Sequence, residues 1–179
     1  MTTDAQRAEF DRIHGYLSSQ GDRYDCAGLW RRIVPARLDL LDALDGVTDA
    51  QADFKPSPDA WSIREVALHI LKSSRGTRGL VQRLAAGQGP GEGDDRVFET
   101  PHETTDAPID ALRDELLHDG LAWAAATEQL PPRPPLEPTA PHMMFGPLHA
   151  RAWYLFERVH DVDHANQIKA VKAAAGYPA

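Results

Sequence analysis

The amino-acid sequence predicts an all-α protein: a four-helix bundle, in up-down or crossed topology, with an extra short helix at the N-terminus. Apolar residues recur at intervals of three and four along the chain, which is the period of amphipathic helices. Clusters of proline and glycine separate these segments, and the alternation typical of strands is sustained nowhere. Helices of this kind bury their apolar faces against one another, and sites in such bundles lie between facing helices.

A chain of 179 residues has the length of one ordinary domain with a real core. We assign residues 1–25 to an N-terminal helical arm and residues 26–179 to the bundle. The arm carries Phe10, Ile13 and Leu17 at helical spacing, which predicts a short amphipathic helix.

The next two helices have recognisable boundaries. An apolar series extends from Leu29 to Thr48, and Pro35 predicts a start or a kink there because proline lacks the amide proton that a helix interior needs. The following helix begins at Ser62, which has the capping-box spacing with Glu65, and continues to about residue 86.

Residues 87–108 are rich in glycine and acidic side chains and are long for a connection, so we predict a flexible loop or lid. Helical spacing resumes at Ile109 and ends before Pro131. A proline-rich loop follows to Pro147, which suits the first turn of the last helix.

Composition excludes several classes of partner. The formal net charge is -8, and the basic residues are scattered among acidic ones, so nucleic acid is not expected as a partner. Cys26 is the single cysteine, which excludes an internal disulfide, and no apolar run indicates a signal peptide or a membrane span. We therefore expect a cytoplasmic protein that is not associated with membranes and acts on a small molecule.

Three histidines form a candidate metal site. His160 and His164 lie one helical turn apart, with a rise of about 6 Å between them, so both imidazoles can reach one ion. His69 lies on the flank of the predicted helix that begins at Ser62, at the seam between neighbouring helices. Three protein ligands leave a coordination position open, as catalytic metal sites do.

The last helix also becomes polar towards its C-terminal half, at Asp163, Asn166 and Gln167. Buried polar groups are costly without partners, so this patch predicts a polar pocket around the histidine pair or unusual exposure.

Other sites fit the sequence less well. The segment from His160 to His164 has the spacing of a zinc-protease helix, but Asp161 replaces the usual glutamate and no downstream ligand follows. A di-iron bundle needs a glutamate on each of four helices, and the segment from Leu29 to Thr48 contains none. Nothing near Cys26 in the sequence supplies a base for a cysteine nucleophile.

Three motifs resemble the DinB-like superfamily of helical-bundle metalloproteins, which includes YfiT-like proteins and thiol-dependent transferases. They are Val34-Pro35-Ala36-Arg37-Leu38, Trp61-Ser62-Ile63-Arg64-Glu65-Val66-Ala67-Leu68-His69-Ile70, and Phe145-Gly146-Pro147-Leu148 leading to His160-Asp161-Val162-Asp163-His164-Ala165-Asn166-Gln167-Ile168. The resemblance implies a four-helix bundle, often dimeric, with His69, His160 and His164 as metal ligands. Members often carry acidic residues after the first histidine, where this chain has Leu71-Lys72-Ser73-Ser74.

This resemblance implies a divalent-metal-binding protein whose most concrete activity is metal-dependent thiol transfer. One divalent transition metal, zinc, nickel, iron or manganese, would bind a low-molecular-weight thiol and make it a nucleophile at neutral pH. Asp163 and Gln167 are the candidates for orienting the ligand imidazoles from the second shell. The loop of residues 87–108 and the segment Met143–Phe145 are candidates for shaping the pocket of the electrophile.

Three alternatives stay open from the sequence. The same three ligands suit a metal-dependent hydrolase. The chain also fits a non-catalytic, stress-associated metal-binding protein or an interaction module, in which the N-terminal arm or the segment Met143–Phe145 forms a homodimer contact.

Overall fold

The computed structural model describes residues 3–91 and 103–179, and the predicted all-α bundle is confirmed. Its elements, in chain order, are α1 (Asp4–Arg23), α2 (Cys26–Leu44), α3 (Asp49–Ala52), α4 (Ile63–Ala85), α5 (Ile109–Gln129), β1 (Thr139–His142), β2 (Gly146–His149) and α6 (Ala150–Lys172). Within the described residues, none of these helices is both long enough and apolar enough to cross a membrane.

Helices α2, α6, α4 and α5 pack in a ring in which each one contacts the next. Helices α2 and α6 run in the same direction, because Arg37 pairs with Asp161 and Asp39 pairs with Lys169 further along both helices. Between α4 and α5, Arg75 pairs with Glu115. Further along both helices, Arg78 pairs with Asp119. Consecutive α4 and α5 are thus parallel, so the bundle is crossed rather than simply up-and-down.

Local signals explain where two of the helices begin. The predicted capping box is present at α4, where the Glu65 amide donates to Ser62 Oγ and the Ser62 amide donates to Glu65 Oε2. Helix α2 does not start at Pro35: it begins at Cys26, where the Gly28 amide donates to the side chain of Asp25. Pro35 is exposed inside α2, so its missing amide proton removes one helical hydrogen bond on the solvent side.

The prediction that Pro147 opens the last helix is wrong. Pro147 lies in β2, opposite Pro141 of β1, in a two-stranded antiparallel hairpin. Gly146 adopts the left-handed conformation that the tight turn requires, with φ of 73°. Helix α6 begins only at Ala150, where the His149 side chain accepts the amide hydrogen bond that caps it.

Helix α1 packs lengthwise against α6 and contributes to the core. Leu17 is fully buried there, and Phe10 and Ile13 pack against the same cluster. Phe10 also makes an edge-to-face contact with Phe145 in the hairpin turn, with ring centroids 5.8 Å apart. The division of the chain into residues 1–25 and 26–179 stays a prediction.

A layer of buried polar residues separates two apolar clusters in the core. On α2, the first cluster contains Leu29 and Ile33 and the second contains Leu40 and Leu44, with the buried Arg37 between them. The polar residues at the matching level of the other three helices are Ser74 on α4, Asp119 on α5, and Glu157 and Asp161 on α6. Every helix of the ring therefore contributes to this layer.

The Arg37 guanidinium joins the layer together. It donates to Asp161 at 2.8 Å, to Glu157 at 3.3 Å and to Asp119 at 3.4 Å. It also donates to Ser74 Oγ at 3.1 Å, and this hydroxyl lies 2.6 Å from Asp119 and 2.8 Å from Glu157. Such a network stabilises a fold only while its charges stay paired, because an unpaired buried charge is costly.

We expect Arg37→Met to lower the free energy of unfolding by about 3 to 5 kcal/mol at neutral pH, because it leaves buried carboxylates without their cation. Urea unfolding measures the change. The matched control is Arg75→Met, which removes an exposed pair with Glu115 and should cost less than about 1 kcal/mol. Equal, small losses in the two variants would contradict the role assigned to Arg37.

Candidate metal centre

The structure brings His69 of α4 together with His160 and His164 of α6. The Nε2 atom of His160 lies 3.0 Å from that of His69 and 3.1 Å from that of His164. One ligand atom from each of the three residues lies within 4.8 Å of the others. His160 is buried, whereas His69 and His164 are half-buried.

Gln167 selects the tautomer of His164. The Nδ1 atom of His164 lies 2.8 Å from Gln167 Oε1, and an amide oxygen only accepts hydrogen bonds, so Nδ1 carries the proton. The Nε2 atom of His164 is therefore left with its lone pair directed at the cluster. Gln167 thus contacts the ring of a candidate ligand, and its role in orienting a metal ligand stays a prediction.

Asp163, the other residue predicted to orient a ligand imidazole, is exposed outside the histidine cluster. Its side chain is exposed in a groove between α1 and α6, together with Asn166. Burial lowers the pKa of His164. The negative charge of Asp163 opposes this shift without a hydrogen bond to the ring. The polar patch of α6 is thus largely a solvent-facing surface.

Burial lowers the pKa of all three imidazoles. The pKa of His69 falls to about 4 through burial and then through the nearby His164. Burial lowers the pKa of His160 well below its ordinary value, and the nearby His164 and His69 lower it next. All three rings are therefore neutral at neutral pH, which is the protonation state that metal ligation requires.

Aromatic side chains hold the rings on two sides. Trp61, just before α4, makes an edge-to-face contact with His69 at 5.2 Å between ring centroids. Phe156 lies 5.3 Å from His160 on the other side. Phe156 also contacts His142 and Phe145 in the hairpin, so the hairpin supports the wall of the cluster.

Asp161 follows His160 directly but faces the opposite way. Its carboxylate is fully buried and bound to Arg37, so it does not occupy the general-base slot of a zinc-protease helix. Sequence reasoning missed its role and that of Glu157 in the buried layer. The sequence did contain a signal for this buried layer, because a charged residue, Arg37, interrupts the apolar stripe between Ile33 and Leu40.

The donor set fits a divalent transition metal. Three imidazole nitrogens around a tetrahedral ion lie about 3.3 Å apart, given metal–nitrogen bonds of about 2.0 to 2.1 Å. The two short separations at His160 need only a small expansion to reach this value, and all three ligand atoms lie within 4.8 Å of one another. Among the described residues, Nδ1 of His69 and Nδ1 of His160 have no hydrogen-bond partner. Nitrogen donors suit zinc, nickel and iron, whereas magnesium and calcium prefer oxygen.

Two other sequence predictions concern Cys26 and the loop of residues 87–108. Burial raises the pKa of the Cys26 thiol to about 11, so this cysteine is a poor nucleophile at neutral pH. Half of the predicted loop or lid, residues 92–102, lies outside the described residues.

The tautomer and the low pKa values are measurable without a metal. In nitrogen-15 NMR of the metal-free protein, we expect His164 to carry its proton on Nδ1 and His69 to titrate near pH 4. Gln167→Leu removes the acceptor and should give a mixture of His164 tautomers. Asn166→Leu, an exposed control on the same helix, should leave the tautomer unchanged. A mixture in the unmodified protein would contradict the assignment.

Comparison with known proteins agrees with this architecture. A family model described as the DinB superfamily matches residues 32–168. Uncharacterized protein YuaE of Bacillus subtilis (strain 168) is 25% identical over 162 residues, covering 76% of this chain and 93% of that protein. The crystal structure of TT2238, a four-helix bundle protein, superposes with a TM-score of 0.56 at 23% identity, covering 81% of this chain and 98% of that one, which supports the fold. The resemblance found in the sequence motifs is confirmed, and the chain belongs to the DinB superfamily.

Proposed function

We propose that this protein is a metal-dependent thiol transferase in which His69, His160 and His164 hold one divalent transition-metal ion. The observation that carries the proposal is the convergence of three neutral imidazoles, with Nε2 separations of 3.0 and 3.1 Å, at a partly open seam of the bundle. Three ligands leave a position for a small thiol. The acceptor of the sulfur is an electrophilic small molecule.

Three neighbouring residues position the imidazoles for metal binding. Gln167 keeps the His164 proton on Nδ1, which leaves Nε2 free to bind. Trp61 and Phe156 fix the planes of the His69 and His160 rings and exclude water from their apolar sides. When bound, the ion supplies Lewis acidity that lowers the pKa of a coordinated thiol.

The transfer balances without an oxidant or a reductant. The sulfur–hydrogen bond breaks and its proton passes to water. The sulfur then forms a bond to the electrophilic carbon, and the leaving group departs with the electron pair of its broken bond. Neither the site nor the reaction requires Cys26, whose thiol is buried.

Elemental analysis and a transfer assay test the proposal together. The purified protein should retain about one transition-metal ion per chain, and a variant with His69, His160 and His164 all changed to alanine should retain none. The loaded protein should join a small thiol to an electrophile faster than the same ion in buffer. His160→Ala should abolish this rate, whereas His118→Ala, an exposed control on α5, should not change it.

Two results would contradict thiol transfer in different ways. Metal retention with no rate above that of buffer would leave non-catalytic metal binding as the function. An equal metal content in the unmodified protein and in the triple variant would show that the three histidines do not hold the ion.

Metal uptake should release few protons. Because the pKa values of the three imidazoles are lowered, with His69 at about 4, the ligands hold fewer protons at pH 6 than free imidazoles would. Unperturbed imidazoles would together release about two protons at this pH. Zinc titration calorimetry in buffers of different ionisation enthalpy measures the number, and release of two protons per ion would contradict the pKa shifts.

A further inference from the structure

A groove with a volume of about 460 Å³ lies between α1 and α6. Its apolar floor is formed by Ile13 of α1 and by Val159 and Val162 of α6. None of the three candidate metal ligands lines it. Small-molecule sites have volumes of about 300 to 1,000 Å³ and place a few polar groups around a largely apolar surface. We call this surface the α1/α6 groove.

The polar residues are ordered along the groove because α1 and α6 run antiparallel. Arg151, at the start of α6, donates to the Asp22 carbonyl near the end of α1. Arg158, further along α6, lies over the Tyr16 ring, which comes earlier on α1. Arg158 and Tyr16 therefore mark one end of the groove. The far end is lined by four polar residues: Glu9, Arg12, Asp163 and Asn166.

Arg158 presents a positive charge at its end of the groove. The residue is half-buried, and its guanidinium lies 5.9 Å from the centroid of the Tyr16 ring. Among the described residues, no carboxylate lies within ion-pair distance of this guanidinium. A guanidinium pairs most strongly with a carboxylate, through two parallel hydrogen bonds. Arg158 therefore offers this pairing to a ligand.

The far end of the groove carries an unbalanced negative charge. Glu9 and Arg12 neutralise each other through two hydrogen bonds, of 2.8 and 2.5 Å. Asp163 is exposed, and no cation in the described part of the chain forms an ion pair with it. Asn166 adds an amide that both donates and accepts hydrogen bonds. This end therefore suits a cationic donor such as an ammonium group.

The distance between the two charges sets the length of the ligand. Arg158 and Asp163 are five residues apart on α6, which is a rise of about 7.5 Å. An extended chain of five methylene groups between a carboxylate and an ammonium group spans about the same length. Val159 and Val162 provide an apolar surface for such a chain.

Ligands of simpler chemistry fit the groove less well. A purely apolar molecule would exclude water from Arg158 and Asp163 without giving either charge a partner. A molecule with two negative ends would place one of them beside Asp163, where like charges repel. Opposite charges at the two ends satisfy both residues.

We propose that the α1/α6 groove binds a small zwitterion of the amino-acid class, in which a short apolar chain joins a carboxylate to an ammonium group. The carboxylate pairs with Arg158, and the ammonium group lies beside Asp163 and Asn166. The apolar chain packs on Val159 and Val162. This site is independent of the metal and of the proposed reaction.

Methyl-detected NMR of the full chain with ε-aminocaproate as the probe tests the ligand class. The methyl resonances of Ile13, Val159 and Val162 should shift and then saturate as the probe is added. Caproate and hexylamine, which each lack one charged end, should bind about tenfold more weakly, because each loses one charge-assisted hydrogen-bonding contact. Equal affinities for the three molecules, or no shift at these methyl groups, would overturn the proposal.

Variants at the two ends test the orientation of the probe. Arg158→Gln should weaken the binding of ε-aminocaproate about tenfold and leave that of hexylamine unchanged. Asp163→Asn should weaken the binding of ε-aminocaproate to a similar extent and leave that of caproate unchanged. Arg31→Gln, an exposed control on α2, should bind the probe as the unmodified protein does. Unchanged affinity in Arg158→Gln, or an equal loss in all three variants, would overturn the site.

Discussion

The fold depends on one buried interaction, between the Arg37 guanidinium and the three carboxylates of Asp119, Glu157 and Asp161. The pKa of Glu157 is raised by burial and then by Asp161, while Arg37 opposes the shift. Such a buried set tolerates little displacement, because the Arg37 guanidinium and the acidic groups around it are out of water and stabilise one another. It therefore fixes how the four helices of the ring are placed against one another, where apolar contacts alone would permit sliding.

The same interaction explains why the histidines meet. Ser74 and Glu157 connect α4 to α6 at 2.8 Å, a short distance along each helix from His69 and His160. Because helices are rigid over one or two turns, this connection fixes the separation of the two imidazoles as well. The histidine cluster has its own support in Gln167, but its position in the bundle follows from the buried layer.

The sequence predicted the parts of the site that local rules govern. Helical spacing and the capping box at Ser62 placed His69 on a flank that meets the pair on α6. It did not predict the partners of Arg37, because pairing across helices depends on their rotation and direction, which periodicity does not specify. It also missed the hairpin, since strands of four residues containing Pro141 and Pro147 show no alternation. The sequence also did not predict that the Asp163 side chain is exposed, because the position of a residue in the sequence does not alone determine its exposure.

X-ray absorption at the zinc edge shows directly whether the three imidazoles bind one ion. For the zinc-loaded protein, we expect three imidazole nitrogens at about 2.0 to 2.1 Å from the metal. The imidazole signal should disappear when His69, His160 and His164 are replaced by alanine. A spectrum that shows zinc bound by oxygen alone, without imidazole scattering, would show that the three histidines do not hold the ion.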